Sequence, residues 1–304
     1  MARAGNLDFH GWLASQNSAQ PNGGFGGEYS GEHGGEHDYA YVSDRQSRAV
    51  FESAKPMMRA VEAVVRTFEP VGKTKLLGGS VRVGPKQLPR VHNIVESCAL
   101  TLGITTPTTY IVNNPVINAS TFGTNDSAVI MIHSGLVDHL SDDELAAVIG
   151  HECGHIHNNH VTYLTALHML TFAAGFIVQW IDIPARLFLN AWSRRAEISA
   201  DRASMLCVRQ ADVCQRSVTK LALGSLKLYE DLNHDAFLEQ YEELRQRIGR
   251  LGEVFNDHPW LPKRVLAMRV FEKSRLYRQR AGLGKGGLSM DDVDEQVHKI
   301  VKVL

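Results

Sequence analysis

Five consecutive residues, His151-Glu152-Cys153-Gly154-His155, have the types and spacing to do chemistry. Positions i and i+4 of an α-helix lie only about 40° apart around its axis. Both imidazoles therefore leave one face, spaced to grip a single ion. Glu152 follows the first histidine, where its carboxylate can serve the ion's open side without binding it. Two neutral imidazoles and a nearby base are the minimum apparatus for metal-assisted amide hydrolysis. Such chemistry needs a rigid helix. The apolar run Leu145-Ala146-Ala147-Val148-Ile149-Gly150 leads into His151 and predicts burial along most of the helix. Ser141 is a good N-cap, and Glu144 three residues later completes a capping box. The histidines then fall in the third turn.

A catalytic ion usually takes three protein ligands and leaves one position open. A third histidine placed downstream as in H-E-x-x-H-x-x-G-x-x-H is excluded, because Asn158 and Val161 occupy the Gly and final His positions. The alternative is a glutamate from a separate helix. Glu197 and Asp201 in the stretch Ser193-Arg194-Arg195-Ala196-Glu197-Ile198-Ser199-Ala200-Asp201 are four apart and share a face. Glu197 can ligate while Asp201 accepts a hydrogen bond from a ligand imidazole and so fixes its tautomer. His157 and His160 point elsewhere around the helix and cannot join the ion, although His160 can act behind it.

With these motifs in place, the chain resembles the zinc metallopeptidases that include HtpX and the CAAX prenyl protease, peptidase family M48 of the gluzincin type. The resemblance covers about residues 80–270 and rests on blocks in the family's order: Asn118-Ala119, Gly135-Leu136-Val137, Asp143-Glu144-Leu145, the His151/Glu152/His155 motif with trailing His160, Ser193-Arg194 with Glu197 and Ala200-Asp201, and His258-Pro259 with Arg264. It implies one zinc ion per chain on His151, His155 and Glu197, with Glu152 as general base. Asp201 and Arg264 would brace the ligands from behind. His258 would help stabilise the oxyanion or merely cap a helix ahead of Pro259. Asn118 and Ala119 would open an edge strand that pairs with extended substrate by β-augmentation, giving loose cleavage specificity. The implied fold is α+β, mostly helical, minigluzincin-like, with a small sheet over the active-site helix. Clear flanking transmembrane helices, present in the membrane members, are missing.

Length and composition agree with that outline. The chain has 304 residues and a formal net charge of −1, which gives no general pull toward nucleic acid. Residues 1–12 lack the apolar core of a signal peptide. Cys98, Cys153, Cys207 and Cys214 form no C-x-x-C pair and suit reduced, buried thiols in a cytoplasmic protein. Three stretches follow: a flexible Gly-rich segment (1–45), a metallopeptidase domain (46–280) and a C-terminal loop with a short helix (281–304). Within the domain, residues 80–83, 109–112 and 128–132 read as strands and 91–102 as a helix closed by Gly103. The sequence after Ser141 reads as mostly helical.

Two features bear on location. The run 163–178 is nearly all apolar, yet it is short for a bilayer span and carries His168, so it is expected as a buried helix. The basic series Lys263, Arg264, Arg269, Lys273, Arg275, Arg278 and Arg280 reads as a solvated face, with anionic lipid headgroups as the sharper alternative. The expected partners are therefore protein or peptide substrates, with weak membrane-surface contact and oligomeric state left open. A metal-stabilised chaperone or docking module and a single-substrate processing protease are the competing functions. The N-terminal segment, with His10, His33 and His37, could also fold back over the metal, though a tail without effect on the site is the simpler expectation.

Overall fold

The computed structural model describes residues 38–53, 55–173, 182–246, 253, 256 and 258–302. The elements in order are α1 (Val42–Ser53), α2 (Lys55–Gly79), β1 (Ser80–Arg82), α3 (Pro89–Leu102), β2 (Thr108–Val112), β3 (Ala119–Thr124), β4 (Ser127–His133), α4 (Ser134–His139), α5 (Asp142–His157), α6 (Val161–Ala173), α7 (Asp182–Val208), α8 (Ala211–Leu223), α9 (Leu226–Glu230), α10 (His234–Gln246), α11 (Leu261–Glu272), α12 (Arg275–Arg280) and α13 (Met290–Val301). The fold is α+β and mostly helical, as expected.

The strands form one mixed sheet in the order β1-β2-β4-β3. β2 runs parallel to β4, while β1 and β3 are antiparallel to their neighbours. β3 is therefore an edge strand, and it packs against α5. The three strands expected from the sequence are present, each within a residue of the expected bounds. β3 was expected only as an edge near Asn118; it pairs with β4 from Ala119 to Thr124.

α5 is the helix around which the rest is arranged, with α3, α7, α8 and β3 against it. Its start is fixed locally. Ser141 Oγ accepts from Glu144 N, and Glu144 Oε2 accepts from Ser141 N at 3.0 Å, which satisfies two otherwise orphaned donors. Leu145, Ile149 and Cys153 are fully buried. Two glycines then let α7 come close. A Cβ on Gly154 would stand 2.6 Å from Ala203 Cβ and 3.1 Å from Ala200 Cα; one on Gly150 would stand 3.0 Å from Cys207 Cβ. Gly154→Ala must therefore push α7 away from α5, at a cost of about 1–3 kcal/mol. Because the two helices carry His151, His155 and Glu197, any metal affinity of these three should fall along with the melting temperature. Unchanged melting and metal content in that variant would show that the helix spacing is loose.

Several tertiary placements depart from the sequence reading. The packed unit begins at Tyr39 rather than near residue 46. Tyr39, Ala40, Tyr41 and Asp44 are buried, and Arg202 Nη1 donates to Tyr39 O at 3.0 Å. Composition around residues 39–45 carries no sign of this, because the partners lie far along the chain. The C-terminal helix is also part of the core: Val293 and Val297 are fully buried, and Asp294 pairs with buried Arg202 at 2.6 Å. The basic series is not one solvated face. Lys263 is buried and ion-paired with Glu253, and Arg264 turns inward, whereas Arg275, Arg278 and Arg280 remain toward solvent. A helical stripe of charges cannot reveal which members meet buried carboxylates.

The apolar run is helical as far as Ala173, with Tyr163, Leu164, Ala166 and Leu167 buried and His168 exposed; its remainder lies outside the described residues, as does the segment 1–37. No helix among the described residues is long and apolar enough to cross a membrane. All four cysteines are free and buried.

Candidate active site

The third turn of α5 and the middle of α7 meet at the floor of a cleft of about 310 Å3, walled by Asn118, Ala119 and Thr121 of the β3 side and by His258 and Arg264. His151 Nε2 and His155 Nε2 lie 3.1 Å apart. Glu197 Oε2 is 3.4 Å from the first and Glu197 Oε1 is 3.3 Å from the second. Two imidazole nitrogens and one carboxylate thus converge on one point. A tetrahedral ion with ligands at about 2.0–2.1 Å separates its donors by roughly 3.3–3.4 Å. Two imidazole nitrogens and one carboxylate are also a donor set that catalytic zinc takes. The residues fit the ion.

These side chains are held from behind. Asp201 Oδ1 lies 3.0 Å from His151 Nδ1, and Arg264 clamps Asp201 with Nε at 2.9 Å and Nη2 at 2.6 Å. Arg264 Nη1 also reaches Glu197 Oε2 at 3.1 Å. The sequence reading placed Asp201 and Arg264 beside the ligands, and the structure brings both there. His258 stands at the rim, its Nδ1 3.4 Å from Glu197 Oε1.

Charges in this pocket are strongly coupled. Burial opposes protonation of His151, but the Glu197 charge and the bonds to Asp201 and Glu197 outweigh it and lift the imidazole to about 10. Burial together with the neighbouring His151 and His160 pushes His155 the other way, below its ordinary value, against the pull of Glu197. Burial works against ionised Glu197 and Asp201 too. His258, Arg264 and His151 nevertheless hold Glu197 well below the carboxylate range, and Arg264 does the same, less strongly, for Asp201. Both carboxylates therefore give up their protons more readily than free ones.

Of the further contacts, the sequence placed only His160 behind the ion, and without its partners. Thr121 Oγ1 of β3 donates to Glu152 Oε2 at 2.6 Å, so the edge strand fixes that carboxylate. His155 Nδ1 lies 3.0 Å from His160 Nδ1, and His160 Nε2 lies 2.9 Å from Asp44 Oδ2. Tyr39 Oη meets His157 Nδ1 at 2.7 Å and accepts from Asn158 Nδ2 at 2.8 Å, tying the segment before α1 to the end of α5. Burial raises the Asp44 carboxyl, but its pairing with His160 and the hydrogen bonds from His160 and Ser199 bring it below its usual value. A threonine in a strand and an aspartate in a polar leader carry no local mark of such roles.

β3 has two ends with different surroundings. Around the hairpin, α6 takes its backbone: Gly123 N donates to Thr165 Oγ1 at 3.0 Å and Asn125 N to Thr162 Oγ1 at 3.1 Å. The end from Asn118 to Thr121 lines the cleft instead.

Two histidines and a glutamate gathered on packed helices, with a second glutamate beside them, are what a metallopeptidase requires. Comparison with known proteins narrows the class. Residues 85–271 match the family model "Peptidase family M48", and the chain belongs to that family. It is 31% identical over 208 residues to a plastoglobule-localized, chloroplastic metallopeptidase 48 of Arabidopsis thaliana, covering 67% of this chain and 60% of that protein's length. It is 33% identical over 243 residues to a protease HtpX homolog of Tropheryma whipplei, covering 70% and 83% of the two chains. A protease HtpX homolog of Moorella thermoacetica is 26% identical over 227 residues, covering 64% and 76%. No solved structure matches the chain. The protein is a metallopeptidase, acting on protein or peptide substrates, and the chaperone or docking reading is not favoured.

Proposed function

We propose that the protein is a zinc-dependent endopeptidase that cuts extended or unfolded protein segments. The observation that carries this reading is the convergence of His151 Nε2, His155 Nε2 and Glu197 at 3.1–3.4 Å from one another. His151, His155 and Glu197 would hold one zinc ion, with Asp201 and Arg264 fixing His151 and Glu197. When bound, zinc supplies a Lewis acid that brings a water's pKa toward neutrality and polarises a carbonyl.

The remaining steps belong to the protein. Glu152, aimed by Thr121, accepts the attacking water's proton at a carboxylate oxygen and returns it to the leaving amine. His258 at the rim can donate a hydrogen bond to the oxyanion that develops on the substrate carbonyl. The Asn118–Thr121 end of β3 offers backbone groups to an extended substrate, which aligns the scissile bond over Glu152 and reads shape more than sequence. A folded loop cannot lie along that edge, so unfolded segments are the natural substrates.

The test is cleavage of casein by the purified full chain. Cleavage at internal bonds should stop when a chelator removes the metal and return with stoichiometric zinc. Cleavage indifferent to the chelator would remove the metal from the mechanism, and release of terminal residues alone would remove the endopeptidase reading. Recovery of the chain without detergent is expected from the lengths of its described helices; retention in alkaline carbonate-washed membranes would mark it as embedded.

A further inference from the structure

Each ligand imidazole has one nitrogen at the metal position and one turned away. For His151 the outer nitrogen meets Asp201 directly. For His155 it meets another imidazole, Nδ1 of His160 at 3.0 Å, whose far nitrogen Nε2 lies 2.9 Å from Asp44 Oδ2. His155, His160 and Asp44 are all buried. Asp44 cannot rotate away, since its Oδ1 accepts from Trp192 Nε1 at 3.0 Å and its Oδ2 from Ser199 Oγ at 2.6 Å.

The proton positions follow from the donor and acceptor rules. A carboxylate only accepts, so His160 Nε2 carries a hydrogen. A neutral His160 then presents a bare Nδ1, and the proton of the 3.0 Å contact sits on His155 Nδ1. That leaves the lone pair of His155 Nε2 facing His151 Nε2 and Glu197. The opposite placement would put a hydrogen on His155 Nε2 and close it to a metal. We propose that Asp44, acting through His160, is the positioning residue that fixes the tautomer and ring orientation of His155. Each ligand histidine would then be set by a carboxylate, one directly and one through a relay. Asp44 lies in α1, ahead of the residues 85–271 that match the family model. The segment before the matched domain is thus part of the metal site's support.

This inference rests on the zinc reading above. The test measures zinc affinity of the full chain by competition with a chromophoric chelator. D44N and H160F should weaken zinc by about 10–100-fold. H160Q, whose amide can donate to Asp44 and accept from His155, should recover most of that loss. S274A removes the buried N-cap of α12, which touches neither Asp44 nor His160, so it should lower the melting temperature of the metal-free protein without changing zinc affinity. Wild-type affinity in D44N and H160F would overturn the proposal, as would zinc affinity in S274A falling in step with its stability. Should D44N and H160F fail to fold, ring nitrogen spectra of the wild type decide: hydrogens on His155 Nδ1 and His160 Nε2 support the relay, and the reverse pattern sinks it. Wild-type protein that takes up no zinc fails the metal reading instead, and the same spectra then decide the relay alone.

Discussion

Replacing Glu152 by Gln keeps the metal and lowers peptide hydrolysis by about 10²–10⁴-fold or more, the usual cost of losing a general base. The geometry explains why the two effects separate. Glu152 contributes none of the three converging donors, which come from His151, His155 and Glu197. It sits instead at the cleft wall, where Thr121 Oγ1 donates to it at 2.6 Å. A glutamine side chain has the same shape and can still accept that bond through its Oε1, so the strand, helix and ligands should stay in place. It cannot take a proton from water near neutral pH. Metal content measured by elemental analysis should therefore match the wild type while casein cleavage collapses. Loss of zinc in Glu152→Gln would make this residue a ligand, and near-normal cleavage would assign the base to another group in the cleft.

The parts of this site that were legible in the sequence are those written within a few turns of one helix. The Ser141–Glu144 capping box, the His151/His155 pair and the Glu197/Asp201 pair each depend on spacings of three or four residues, which a helix turns directly into shared faces. Gly103 as a helix stop was legible for the same reason: it adopts φ 70 at the end of α3. What remained hidden depends on long-range packing. Thr121 lies 31 residues from Glu152, and Asp44 lies 116 from His160. Neither residue type announces a role, and only the docking of β3 and α1 brings them in. Lys263 shows the converse. Its place in a basic series suggested solvent, yet Glu253 meets it in a buried pair. Local charge pattern does not say which carboxylate a folded chain will deliver. Composition failed at residues 39–45 in the same way, because Tyr39, Tyr41 and Asp44 take their partners from α5, α7 and α13.

Glu197→Ala should abolish both metal uptake and hydrolysis. The substitution removes one of three converging donors, leaving two imidazoles 3.1 Å apart. It also removes the negative charge that faces three cationic or basic groups: Arg264 Nη1 at 3.1 Å, His258 Nδ1 at 3.4 Å and His151 Nε2 at 3.4 Å. A dication entering the mutant site would meet Arg264 with Asp201 and, less strongly, Glu152 left to offset it. The loss should therefore exceed the roughly 10–100-fold expected from removing a partner behind a ligand. Asp201→Asn supplies that comparison. It weakens the clamp between Arg264 and His151 but leaves all three donors, so raising the zinc concentration should restore its activity. Raising zinc should not restore Glu197→Ala. Elemental analysis and casein cleavage across a zinc titration separate the two variants. Full zinc occupancy in Glu197→Ala would place the third ligand elsewhere, and an Asp201→Asn protein that zinc cannot rescue would make the aspartate as indispensable as the ligands it braces.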